Sequence, residues 1–232
     1  MQTLDDIQTA IAQLPVAQRE RIFSWLGTAL DEDAIKEAAA SYDASPEHRW
    51  LSFEDYLAFE EASPVRHEYV GGALHAMSGA SESHEIIAGN LFAAIHAHLR
   101  GRPCTSYRGN FKLRLQVARH DVACYPDIMV SCTRDGVERN FLRYPKLVVE
   151  ILSPSTRAID QREKWLNYTQ VATLEEYLLV SQDRPEVIVH RRSADWAPLC
   201  LREPGNSLGL ESISLSIPFS RLYEKVPLRT LA

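Results

Sequence analysis

Two acidic residues stand where a folded chain has little structural use for them. Asp127 precedes the apolar run Ile128-Met129-Val130, and Glu150 lies between Leu147-Val148-Val149 and Ile151-Leu152. Such short runs, flanked by Pro126, Pro145 and Pro154, read as buried strands. A carboxylate on such a strand is costly to bury uncompensated. Two converging carboxylates repel each other, and a divalent cation held by oxygen ligands is the usual remedy. Farther on, Asp160, Lys164 and Tyr168 are spaced four apart and share one helix face. That helix is entered through Ser153-Pro154-Ser155-Thr156, where either serine can cap and the proline can occupy the first turn. Only a short turn separates it from Glu150, so Lys164 can fold back over the strand end. In such a site Mg²⁺ on the two acids polarises a phosphoryl oxygen and acidifies a water. The lysine orients or deprotonates that water and stabilises the developing negative charge. The chemistry outlined is phosphodiester hydrolysis.

The elements around these residues follow from patterning. Residues 4–30 read as two short helices broken at Leu14-Pro15, followed by a polar, alanine-rich stretch. A boundary near residue 45 divides a helical N-terminal appendage (1–45) from the main domain (46–232). Ser52 caps a helix through SFEDYLAFE, with Asp55 completing an arrangement close to a capping box. HEYVGGALHAM reads as a hairpin around Gly71-Gly72. Ile87, Leu91, Ile95 and Leu99 mark an amphipathic helix over 82–99, stopped by Gly101 and Pro103. Strands are expected at 105–107, 111–116, 176–181 and 186–190, a helix at 157–170, and strands with a short helix (219–223) in the tail. A mixed sheet with helices on both faces is the natural packing.

Composition sets outer limits. The 232 residues carry 31 acidic and 25 basic side chains, a net charge of −6. That excludes a generally basic nucleic-acid coat but allows a local basic cleft. Arg108, Lys112 and Arg114 lie close to the Asp127 strand in sequence and are candidates for its rim. The four cysteines show no CxxC or zinc-ligand spacing, so reduced thiols in a cytoplasm are the simplest expectation. The sequence shows no secretion signal and no apolar run of membrane-spanning length.

The ordered set Pro126-Asp127, VVEILSPST (148–156), DxxxK (Asp160 to Lys164), Tyr168 and EEY (175–177) resembles the Uma-type restriction-endonuclease family of the PD-(D/E)XK nuclease superfamily. The resemblance spans about residues 52–224. It implies a restriction-endonuclease-like α/β core, an α+β mixed sheet flanked by helices, and Mg²⁺-dependent (alternatively Mn²⁺-dependent) DNA cleavage. By the same resemblance Asp127 and Glu150 are metal ligands, Lys164 is the catalytic lysine, His84 lines the site, and Glu68 is a further acid near the metal. The superfamily's simplest pattern puts the lysine two residues after the second acid. Here that position is Leu152, which moves the function to Lys164. The chain also departs at Gly71-Gly72-Ala73, where the family favours an acid or amide, then glycine, then glutamate.

Each residue also has an ordinary structural explanation. Asp127 can be a turn aspartate after proline, Lys164 a solvated partner of Asp160, and His84 a satisfied helix histidine. The functional expectation is a cytoplasmic endodeoxyribonuclease that binds DNA, without membrane contact, and acts as a homodimer through the apolar N-terminal helices. A catalytically silent DNA-binding or protein-interaction module is the alternative from another class. A metal phosphodiesterase for RNA or a nucleotide is a third reading.

Overall fold

The computed structural model describes residues 51–228 except 78, 118–119, 139, 154–163 and 204. The expected appendage and the 154–163 part of the expected helix, including Asp160, lie outside the described residues. The main domain opens with α1 (Phe53–Ala62), whose N-cap Ser52 accepts a hydrogen bond from the backbone of Asp55. Next come a hairpin of β1 (His67–Val70) and β2 (Ala73–Ala76), then α2 (Glu82–Leu99). Gly71 and Gly72 both adopt positive φ, +54° and +109°. A two-residue turn matched to the strand twist requires that of both positions, which explains the glycine pair.

The strands that follow are β3 (Thr105–Arg108), β4 (Lys112–Val117), β5 (His120–Cys124), β6 (Ile128–Ser131), β7 (Phe141–Leu142) and β8 (Leu147–Leu152). The described end of the expected helix is α3 (Trp165–Tyr168). After it come β9 (Glu176–Ser181), β10 (Val187–Arg191), β11 (Pro198–Leu201), β12 (Ser207–Leu210), β13 (Leu215–Pro218) and α4 (Phe219–Leu222). They form a six-stranded mixed sheet in the order β11-β10-β9-β8-β6-β3 and a five-stranded sheet in the order β2-β1-β5-β4-β7, with β12 and β13 as a separate pair. The expected mixed sheet is therefore present, joined by a second sheet that periodicity did not separate from it.

Strand parity decides which core each residue enters. On β8, Leu147, Val149 and Ile151 face α2, where they meet Ile87, Leu91 and Ile95 together with α4 and the β12–β13 pair. Val148 and Leu152 face the other way, against Leu113, Leu115 and Val122 of the second sheet and Tyr168 of α3. All six residues of β8 are buried, as are all six of β9. Covering on both sides explains why the sequence shows continuous apolar runs here rather than alternation. The Ile and Leu side chains along α2 each contribute roughly 2 kcal/mol by leaving water.

The thiol expectation is corrected. Cys104 and Cys132 form a disulfide, and Cys124 and Cys200 are free. The two bonded residues flank the β3–β6 ladder, one step beyond its Thr105–Ser131 pair. Directly opposed cross-strand residues bring their side chains within reach, however far apart they lie in sequence. None of the described helices is long and apolar enough to cross a membrane.

Candidate active site

The β6–β8 register opposes Ile128 to Val149, Met129 to Val148 and Val130 to Leu147. Continued by one step, it places Asp127 opposite Glu150. Both acids thus stand at the same end of neighbouring strands, Glu150 on the face shared with the second sheet and Asp127 within reach of α2. Asp127 is fixed at both oxygens: Oδ2 accepts the Ile151 backbone N–H at 2.7 Å, and Oδ1 lies 3.1 Å from His84 Nε2. The histidine is delivered by the first turn of α2. Ser81 caps that helix, accepting from the His84 backbone, and donates to Gln182 Oε1 at 2.5 Å. His84 lies one turn before Ile87 on the face turned to the sheet, so burial of the apolar row aims it at Asp127. Burial alone lowers the imidazole pKa, but the hydrogen bond to Asp127 and its charge outweigh burial and raise it above the ordinary value.

Glu150 is almost fully buried, and its company accounts for that. Lys164 Nζ donates to Glu150 Oε1 at 3.2 Å and lies 3.0 Å from Glu68 Oε1, and Tyr168 donates to Glu150 Oε1 at 2.7 Å. The four-residue spacing does carry Lys164 and Tyr168 to the same carboxylate. Glu68 comes from β1, in the second sheet, and Tyr125 N–H reaches it at 3.5 Å. Lys164 therefore bridges an acid from each sheet.

One open cavity of ≈ 1020 Å³ is lined by all five candidates, Glu68, His84, Asp127, Glu150 and Lys164. Its donor set is oxygen-rich and suits a hard divalent cation. Each Asp127 oxygen has two lone pairs, so its hydrogen bonds leave capacity to ligate. Among the described residues no three His, Cys, Asp or Glu side chains form a ready metal cage. Mg²⁺ needs no such cage, because it takes one or two carboxylates and keeps several waters.

Sequence reading missed part of the lining. Gln182 follows β9, which runs parallel to β8 with Ser181 opposite Leu152, so both strands deliver polar groups to one rim. A polar residue directly after a buried strand was the available signal. Arg66 and His75 also line the cavity; His75 is there because β1–β2 pairing opposes it to Glu68. The two-residue turn at Gly71-Gly72 fixes that register and was the available signal. Of the expected rim cations Arg108 lines the cavity, but Lys112 and Arg114 do not. Arg114 instead pairs with Asp121 and lies over the Phe53 ring at 3.8 Å. The Gly71-Gly72 departure also lies outside the lining.

Comparison with known proteins adds the family. The uncharacterized protein slr1290 of Synechocystis sp. is 37% identical over 175 residues, covering 75% of this chain and 91% of the relative. A second Synechocystis protein, sll1609, also uncharacterized, is 28% identical over 135 residues, covering 57% of this chain and 75% of the relative. The crystal structure of an Anabaena variabilis protein described as a "putative nuclease belonging to DUF820" shares the fold, with a TM-score of 0.63 at 19% identity over 75% of this chain and 97% of that one. Residues 53–220 match the Uma2 model, described as "Putative restriction endonuclease", and the chain belongs to that family.

Proposed function

We propose that the protein is a metal-dependent endodeoxyribonuclease, with Asp127 and Glu150 holding Mg²⁺ or, alternatively, Mn²⁺. The observation that carries this reading is the opposition of the two acids across β6 and β8, with the Lys164 ammonium on Glu150. When bound, the ion polarises the scissile phosphoryl group and acidifies an attacking water. The protein's own groups do the rest. Ile151 N–H and His84 orient Asp127, and Tyr168 and Lys164 orient Glu150. Lys164, steadied by Glu68, is placed to orient the water and to offset charge on the phosphoryl oxygens. The cavity is open to solvent and has a volume of ≈ 1020 Å³, which supports a polymeric DNA substrate over a small nucleotide.

Two strands of opposite polarity call for two symmetry-related sites, which supports a homodimer. Action in the cytoplasm, where the DNA is, belongs to the same reading. The altered hairpin favours the silent-module alternative, but Gly71 and Gly72 are not among the residues that line the cavity.

The test is nicking of supercoiled plasmid with Mg²⁺ or Mn²⁺. Wild type is expected to nick, Asp127→Ala to be inactive, and Lys164→Ala to lose roughly 10²–10³-fold in rate. Wild-type protein that nicks with neither ion overturns the reading in favour of the silent module.

A further inference from the structure

Outside the five residues given roles above, the cavity wall holds the ion pair of Arg108 and Glu85, whose other carboxylate oxygen lies 3.8 Å from His84 Nδ1. Arg108 Nη2 lies 3.1 Å from Glu85 Oε2, and both side chains are about half exposed, at 45% and 58%. A pair this exposed does little for stability. Its position is nevertheless tightly fixed. Arg108 ends β3 opposite Ile128, and the next residue, Gly109, donates its N–H to the Asp127 carbonyl at 3.1 Å. Glu85 follows His84, the residue that holds Asp127. Arg108 and Glu85 therefore stand beside the His84–Asp127 contact, Arg108 one strand from Asp127 and Glu85 next to His84. The guanidinium also lies 5.9 Å from the centre of the Phe92 ring, which limits where its fork can point.

We propose that Arg108 is a substrate-positioning residue that grips a DNA backbone phosphate next to the scissile one, and that Glu85 occupies the phosphate's place until DNA arrives. This rests on the nucleic-acid reading of the same cavity. A carboxylate and a phosphodiester present similar oxygens to a guanidinium fork, so exchange costs Arg108 little. The phosphate has the advantage that its arrival releases condensed counterions, which Glu85 cannot offer. Glu85 thereby weakens DNA binding, and removing its charge strengthens it.

The experiment is fluorescence-anisotropy titration of the full chain with a labelled DNA duplex in Ca²⁺ at several salt concentrations, with plasmid nicking in Mg²⁺ run in parallel. Arg108→Ala is expected to weaken binding about tenfold and to reduce the steepness of log K against log salt by about one. Arg108→Lys restores the slope while recovering affinity only in part, because the charge returns without the fork. Glu85→Gln is expected to tighten binding about threefold in wild type and to have no effect in the Arg108→Ala background. Equal tightening in both backgrounds would show that Glu85 acts only through net charge and would overturn the proposal, as would an unchanged slope for Arg108→Ala. Wild type that nicks while either result holds leaves the nuclease reading standing and removes only the role of Arg108. The expected binding pattern without nicking does the reverse. No duplex binding at all overturns both.

Discussion

Tyr168 shows how a supporting side chain makes a buried acid tolerable. Its ring is buried edge-on against Tyr177, and its hydroxyl sits between Glu150 Oε1 and Cys124 Sγ, at 2.7 and 3.2 Å. Burial, with the Glu150 charge behind it, pushes the phenol pKa well up, so Tyr168 stays a neutral donor. Its single proton serves Glu150, which leaves the Cys124 thiol as donor to the phenol oxygen. Tyr168→Phe keeps the ring and removes the donor. Urea unfolding should show a loss of about 1–3 kcal/mol, with slower nicking as Glu150 loses a hold. At this scale much was legible: Glu150 stood out among aliphatic neighbours, and the spacing of Lys164 and Tyr168 put them on one helix face. Gln182 was not, since it reaches the cavity through the pairing of β9 with β8, far apart in sequence.

At the scale of elements, the two adjacent glutamates of Glu175-Glu176-Tyr177 separate cleanly. Glu176 is buried at the start of β9, where Oε1 meets Arg191 Nε at 2.9 Å and Oε2 accepts from the Ser212 backbone and hydroxyl. It thereby pins the 3₁₀ turn at 211–213, and with it the β12–β13 pair, to the main sheet. Glu175 is half exposed and pairs with Lys146. Glu176→Ala leaves Arg191 nearly buried without its main partner and is expected to cost about 3–5 kcal/mol. Glu175→Ala should stay within about 0.5 kcal/mol. Thermal unfolding of the two variants checks the contrast. The motif was visible in the sequence, but which glutamate is structural was not, because that depends on Glu176 opening the doubly covered β9 while Glu175 still lies before it.

Across the whole molecule, Glu186 ties the end of the main sheet to the C-terminal segment. It is buried; its carboxylate meets Arg184 and Arg202 at 2.7 and 2.5 Å, and its backbone N–H donates to the Tyr223 hydroxyl. Burial alone raises the carboxyl pKa, but the two arginines outweigh it and hold it below the ordinary value near 4.5. A carboxyl with a depressed folded-state pKa contributes stability above about pH 4.5 that is lost as pH falls through the folded value. Melting temperature should therefore drop on acidification over that window. Glu186→Gln should lower it at neutral pH and flatten its acid limb. By itself the sequence determined the strand runs, α2 with its stop, the hairpin glycines and the isolation of Glu150 among aliphatic neighbours. Those depend on local periodicity, backbone conformation and the cost of placing a charge among aliphatic neighbours, all of which are readable within one turn or strand. Only the tertiary structure decided that a second sheet supplies Glu68, that Cys104 meets Cys132, and that Asp127 faces Glu150 with Arg108 one strand away. Such meetings are set by register between segments far apart in sequence, where shifting one strand by one residue would turn every side chain to the opposite face.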